Sequence, residues 1–144
     1  MTDVSARATG AGEQDIRLIR RLVVTNLVMV ALQPVSAGLL MSGFGRALPV
    51  HAVVGLALLL GLLVQVGAAV LLWRRGRAPA WVAWVSGALF VTVLLQNAIG
   101  HNRQYWLHVP VGVALLAALN RQRSSVDALW GACQPEERPA ARRQ

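Results

Sequence analysis

Residues 43–59 read GFGRALPVHAVVGLALL, and residues 100–116 read GHNRQYWLHVPVGVALL. The two stretches are offset by 57 residues and are identical at 8 of 17 positions. Both contain the pattern Gly-x-x-Arg-x-x-x-x-His-x-x-x-Gly, which uses two of the three histidines in the chain. Internal repeats in membrane proteins often place a binding site where the repeats meet. The sequence therefore predicts a paired-histidine site built by two helical hairpins.

Long apolar runs surround these stretches and indicate the class of protein. The chain has 144 residues, of which 56% are hydrophobic and 14% charged, whereas a soluble domain has about 25% charged residues. Because a spanning helix needs about 20 apolar residues, we predict an all-α, polytopic membrane protein. Its four transmembrane helices would form a bundle of two repeated hairpins, with spans at about residues 18–42, 49–73, 80–100 and 105–120.

This reading divides the chain into three parts. Residues 16–120 would form the four-helix transmembrane domain. Residues 1–15 are small and polar, so we expect a disordered N-terminus, and residues 121–144 would form a loose tail with two prolines. The tail also holds the single cysteine, Cys133, which has no partner for an internal disulfide and no metal-ligand spacing.

The distribution of arginine predicts the orientation in the membrane. All the basic residues are arginines, and all except Arg46 and Arg103 lie in the N-terminus, the second loop or the tail. By the positive-inside rule both termini would be cytoplasmic, and the histidines would lie on the outer side. The net charge of +8 then indicates topology and contact with anionic lipids, and we expect no nucleic-acid partner. The absence of lysine is typical of GC-rich bacterial genomes, so we expect the bacterial plasma membrane.

The paired histidines are the candidate ligands of a cofactor. His51 and His108 would each lie about one turn inside a helix, and Gly55 and Gly112 would follow on the same helical face. Glycine there removes bulk, so that a flat, large group could approach. Haem b fits these features, because two neutral imidazoles can ligate its iron from opposite sides.

Other polar residues could complete such a haem site. Arg46 and Arg103 would meet the propionates near the outer surface, since guanidinium suits a carboxylate. Gln33 and Gln96 fall in the outer halves of the first and third runs and could bond a cofactor edge or a histidine nitrogen. Each of these residues also has a structural explanation: interfacial anchoring for the histidines and arginines, and helix packing for the glycines and glutamines. Gln65 lies in mid-span, where packing is the expected role, and His101 is expected to be solvated.

Several short motifs resemble those of a known family. The stretches QPVSAGLL at 33–40, LPVHAVVG at 48–55, LLQNAIG at 94–100 and WLHVPVG at 106–112 resemble one four-helix half of the haem A synthase family, and their order is similar to that of other four-helix b-type membrane cytochromes. The resemblance covers about residues 24–119 and implies paired histidine ligands, which map onto His51 and His108.

Two departures from the haem A synthases modify this expectation. The loop at 42–50, SGFGRALPV, has neither the acidic residue nor the cysteine pair of that family, and Ala52 replaces the arginine that usually follows the histidine. We therefore expect a haem-binding or electron-carrying relative without hydroxylase activity, and we name no catalytic residue.

Two other classes of function stay open from the sequence. The chain could be a non-enzymatic membrane scaffold or accessory subunit without a cofactor, or a transporter or channel subunit, although no span contains an acidic residue. Besides the lipid bilayer, a membrane redox partner or a second copy of the chain is the expected kind of partner.

Overall fold

Four helices make up the residues that the computed structural model describes, 2–133. They are α1 (Thr2–Met41), α2 (Ala47–Arg74), α3 (Ala80–His101) and α4 (Tyr105–Cys133). Because short loops join them, successive helices run antiparallel. α1 and α3 each pack against both α2 and α4, so α2 and α4 occupy opposite corners of a four-helix bundle. The prediction of an all-α fold with four helices is confirmed.

Three of these helices are long and apolar enough to cross a membrane. Within residues 2–133 they are Gly12–Met41, Ala47–Arg74 and Ala80–His101, which identifies a helical membrane protein. Exposed leucines and valines cover the outward faces of these helices, as lipid contact requires. α4 is also long, but polar residues at both ends shorten its apolar part to about residues 109–119.

The first and last helices, α1 and α4, are longer than the spans predicted from the sequence. α1 begins at Thr2, well before the expected start near residue 18, and α4 continues through Cys133 instead of ending near residue 120. The extension of α4 has a physical reason: Gln122 and Val126 lie one turn apart and are buried against the bundle. The rest of the expected tail, 134–144, lies outside the described residues.

Ion pairs and one cation–π contact join the extended helix ends. Arg20 pairs with Asp127 at 2.6 Å, and the guanidinium of Arg17 lies 5.1 Å from the Trp130 ring centre. Arg77 of the second loop pairs with Asp15 at 3.0 Å. We call this end of the bundle the arginine end. The opposite end, with the loops at 42–46 and 102–104, is the histidine end.

Each of the three loops has a left-handed residue at its second position, two residues after the preceding helix ends. These residues are Gly43 (φ 90°), Gly76 (φ 68°) and Arg103 (φ 58°). In each loop, the N–H groups of this residue and the next return to carbonyls in the last helical turn, as in a Schellman motif. Glycine adopts this conformation without strain, whereas the side chain of Arg103 makes it costly by about 1–2 kcal/mol.

A layer of buried polar side chains divides the bundle core. This polar layer consists of one residue from each helix, Asn26, Gln65, Ser86 and Gln122, and none is more than 2% exposed. An apolar cluster around Leu62 separates it from the histidine end, and a second cluster around Val23 lies toward the arginine end. The core therefore alternates between polar and apolar levels along the bundle axis.

Hydrogen bonds connect all four members of the polar layer. Gln65 accepts from Asn26 Nδ2 at 2.9 Å, and its own Nε2 donates to Ser86 Oγ at 2.9 Å and to Gln122 Oε1 at 3.1 Å. Gln122 Nε2 also donates to Ser86 Oγ at 3.0 Å. Since buried polar groups in lipid must find partners within the protein, this network favours one alignment of the four helices.

Gly61 tests the importance of the polar layer, because a Cβ there would collide with the amide of Asn26. Gly61→Ala should displace this amide from Gln65 and destabilise the bundle by about 1–3 kcal/mol. The measurement is thermal unfolding in detergent, followed by circular dichroism. Gly67→Ala is the matched control on the same helix, since its Cβ would meet nothing within 4 Å. Equal stability of the two variants would contradict the prediction.

Candidate functional site

His51 and His108 face each other at the histidine end of the bundle. They come from the diagonal helices α2 and α4, each near the first turn. Their ring centres are 6.1 Å apart, and the ring planes are inclined by 58°. The structure thus brings together the two histidines that the sequence pattern paired, although their helices do not adjoin.

The Nδ1 atom of His51 is held by Ser36 of α1. Ser36 Oγ lies 2.9 Å from His51 Nδ1 and also 3.1 Å from Leu32 O and 3.0 Å from Gln33 O. The two carbonyls can only accept, so either of them can take the single hydroxyl proton of Ser36. When that proton is donated to a carbonyl, Ser36 Oγ accepts from His51 Nδ1–H, and Nε2 is then the unprotonated nitrogen of the neutral ring.

His108 is held by the backbone and the side chain of Gln96 on α3. His108 Nδ1 lies 3.1 Å from the carbonyl oxygen of Gln96, which can only accept, so the proton belongs to Nδ1 in this ring as well. In return, Gln96 Nε2 donates to the carbonyl oxygen of His108. The two residues thus form a reciprocal pair of hydrogen bonds, and in the neutral form of the His108 ring Nε2 is the nitrogen without a proton.

The glycines of the repeated motif leave room for amide donors. In an α-helix the carbonyl oxygen of one residue lies beside the side chain four residues later, which is why a serine there can bond to it. Gly55 follows His51 by four residues, and Gln33 Nε2 donates to His51 O at 3.4 Å. A Cβ on Gly55 would lie 3.5 Å from Gln33 Nε2, and one on Gly112 would lie 3.1 Å from Gln96 Nε2.

The same spacing recurs at Gly100, which follows Gln96 by four residues. A Cβ on Gly100 would lie 2.7 Å from His108 Cε1 and 2.8 Å from His108 Nδ1, closer than any real contact. Only glycine at this position therefore allows the imidazole to reach the carbonyl oxygen of Gln96. Gly100 matches Gly43 in the sequence repeat, but Gly43 has a different task, the left-handed turn after α1.

The structure gathers most, but not all, of the site residues expected from the sequence. Gln33 and Gln96 contact the backbones of the histidines, and amide groups occupy the space beside Gly55 and Gly112 that was expected to admit a flat group. Arg46, Arg103 and His101 lie exposed at the histidine end, where no ion pair of the two arginines is found within the described residues.

Two contributors to the site were not recognised in the sequence, Ser36 and Gly100. Ser36 follows Gln33 by one helical turn, so the same face of α1 carries both, and this spacing was the available signal. In the sequence, Gly100 was noticeable only because it matches Gly43 in the repeated motif. Its contact with His108 depends on how closely α3 and α4 approach, which the sequence does not specify.

Equivalent positions in the two hairpins differ by two distinct offsets. In α2 and α4 the offset is 57, which relates His51 to His108 and also Gln65 to Gln122. In α1 and α3 it is 60, which relates Asn26 to Ser86, Ser36 to Gln96, Gly43 to Arg103, and the helix ends Met41 and His101. The first loop is therefore three residues longer between its left-handed residue and the following histidine.

Comparison with known proteins gives no relative for this chain: no family model, curated protein or solved structure matches it. The resemblance to the haem A synthases accordingly rests on the short motifs alone.

Gly100→Ala should push the His108 ring away from α3 and break its bond to the carbonyl of Gln96, since a Cβ would overlap the ring. We expect loss of the slowly exchanging His108 Nδ1–H signal in a histidine-selective ¹⁵N NMR spectrum. Gly87→Ala, in the same helix, is the matched control because its Cβ would meet nothing within 4 Å. An unchanged His108 signal in Gly100→Ala would show that the ring is not wedged against this glycine.

Proposed function

We propose that this chain is a four-helix membrane protein that binds haem b between His51 and His108, for electron transfer or haem handling. The separation of the imidazoles is the observation that supports this most directly. Two imidazoles on opposite sides of one metal have ring centres roughly 6 Å apart, because a metal–nitrogen bond is about 2 Å long and each ring centre lies about 1 Å beyond its nitrogen. The ring centres here are 6.1 Å apart.

The hydrogen bonds on the far side of each ring also suit metal ligation. Histidines that bind metals usually donate their other N–H to a fixed acceptor, which sets the tautomer and the ring orientation. His51 donates from Nδ1 to Ser36, and His108 donates from Nδ1 to the Gln96 carbonyl. In both rings the lone pair of Nε2 is therefore available to bind a metal.

A haem iron needs only two ligands from the protein, which is the number of histidines at this site. Within residues 2–133, no group of three or more histidine, cysteine or acidic side chains could hold a bare ion, and zinc sites normally use three or four protein ligands. Haem carries four equatorial nitrogens of its own, so two histidines complete its iron. When bound, it would supply a one-electron redox centre of the low-spin type.

The surroundings of the histidines provide adaptable neighbours for such a group. Gln33 is a flexible side chain held by one hydrogen bond of 3.4 Å, and the buried Oε1 of Gln96 has no hydrogen-bond partner among the described residues. Gly55 and Gly112 have no side chains of their own beside each ring, and the neighbouring groups there are side-chain amides. Arg46 and Arg103, exposed at this end, are the residues that would meet the propionates.

The proposal includes the placement of the chain in its membrane. α4 would be the fourth spanning helix, crossing with a short apolar stretch beside a locally thinned bilayer. Both termini would be cytoplasmic in a bacterial plasma membrane, because nearly all the arginines lie in the N-terminal segment, the second loop or the C-terminal tail of the sequence. The haem would then lie near the outer leaflet, within reach of a membrane redox partner or a second copy of the chain.

A reduced-minus-oxidised absorption spectrum of the detergent-purified protein, expressed with ample haem, tests the proposal. The wild type should show the sharp bands of a low-spin b-type haem, and both His51→Ala and His108→Ala should lose them, because a low-spin centre needs both ligands. His101→Ala is the matched control, since His101 is exposed in the loop region. A colourless wild type would refute haem binding and leave the cofactor-free scaffold as the better account.

A further inference from the structure

The two histidines are held to the bundle with very different rigidity. His108 donates from its ring to the Gln96 carbonyl, accepts from Gln96 Nε2 at its own carbonyl, and lies against the backbone of Gly100. All three contacts join α4 to one turn of α3. Since two of the partners are main-chain atoms of a helix, neither the position nor the angle of this ring can change without moving α3.

His51 has a weaker set of contacts. Its ring bonds to one side-chain hydroxyl, that of Ser36, and its carbonyl accepts from Gln33 Nε2 at the long distance of 3.4 Å. No glycine of α1 or of the following loop lies against the His51 ring in the way that Gly100 of α3 lies against the His108 ring, since a Cβ on Gly38, Gly43 or Gly45 would meet nothing within 4 Å. The ring of His51 can therefore rotate after losing a single hydrogen bond.

From this difference, and resting on the proposed haem site, we infer that His108 is the permanent haem ligand and His51 an exchangeable one. A small neutral ligand of the ferrous iron, such as carbon monoxide, can then take the place of His51. The exchange is balanced: the bond from iron to His51 Nε2 breaks, a bond from iron to the incoming donor atom forms, and the imidazole leaves as a neutral ring. No electron or proton is transferred.

The chemistry around His51 favours an uncharged incoming ligand. The groups nearest to this part of α2 are the amides of Gln33 and Asn97 and the hydroxyl of Ser36, all neutral. Among the described residues at the histidine end, Arg46 and Arg103 carry charge, and both are exposed in the loops. An anionic ligand would therefore lose its hydration without a partner, whereas a neutral diatomic molecule would not.

The test compares haem retention and carbon monoxide binding in His51→Ala and His108→Ala. We expect His51→Ala to keep a five-coordinate haem that binds carbon monoxide, with haem affinity at least about tenfold higher than that of His108→Ala. In the dithionite-reduced wild type, carbon monoxide should displace His51, and Ser36→Ala should increase the extent of this displacement at a given concentration. His101→Ala should behave like the wild type.

A second measurement uses the protein without haem. In histidine-selective ¹⁵N NMR of the apoprotein, the Nδ1–H proton of His108 should exchange with solvent at least about tenfold more slowly than that of His51, because it sits in a bond to a helix carbonyl. This readout does not depend on cofactor loading, and Ser36→Ala should abolish the His51 signal while leaving the His108 signal unchanged.

The outcomes separate the two proposals. A wild type with a b-type spectrum whose two alanine variants retain haem equally, or whose His108→Ala variant retains more, would overturn the unequal roles and leave the haem site intact. Equal exchange of the two Nδ1–H protons in the apoprotein would overturn them too. A wild type that binds no haem refutes the proposed function itself, and with it the exchange of His51.

Discussion

The accessibility of helix carbonyls controls the arrangement at the histidine end. A backbone carbonyl in a helix already accepts one hydrogen bond, and a second donor from a neighbouring helix approaches it more easily where the residue four positions later has no side chain. Gly55, Gly100 and Gly112 provide this opening for His51, Gln96 and His108. Inside a membrane the opening matters more than in water, because an amide or an imidazole N–H cannot turn to solvent instead. The small residues thus let polar side chains tie the helices together.

The polar layer extends this constraint along the bundle. Gln65 and Gln122 each lie 14 residues from the histidine of their own helix, or about 21 Å along the axis. If α2 or α4 shifted by one turn along its axis, the hydrogen bonds of the polar layer would break and His51 would no longer lie opposite His108. An apolar cluster lies between the two levels, with Leu62 and Leu119 fully buried. This cluster stabilises the packing but does little to fix the helices along their axes, since after a shift one leucine can take the place of another. The distant amides therefore help to keep His51 opposite His108.

The sequence predicted the helices and the histidine pair for physical reasons that act locally. Apolar runs of spanning length predict helices, and equal depths for His51 and His108 follow from hairpins of similar length. The polar layer was not foreseen, because Gln122 follows Arg121 and was assigned to a loose tail, and Asn26 is an isolated polar residue in an apolar run. Their burial depends on the rotation of each helix about its axis, which is set by packing among all four helices. Nor could the sequence predict the contact of Gly100 with His108, since a distance between backbones decides it.

The inequality of the two histidines originates in the loops. The last residues of α1 and α3 are 60 positions apart in the sequence, whereas His51 and His108 are 57 positions apart. The chain from the end of α3 to His108 is therefore three residues shorter than the chain from the end of α1 to His51. In the shorter loop Arg103 adopts the left-handed conformation that Gly43 has in the first loop, and this strain has to be offset by other contacts. In exchange, α4 starts close to α3, and the ring of His108 reaches a main-chain carbonyl where His51 reaches only the hydroxyl of Ser36. A strained residue persists where the surrounding contacts stabilise its conformation. Here the two hydrogen bonds between Gln96 and His108 provide such contacts close to Arg103. The loop that is three residues shorter thus precedes the histidine that bonds to a main-chain carbonyl, and the longer loop precedes the histidine that bonds to a side-chain hydroxyl.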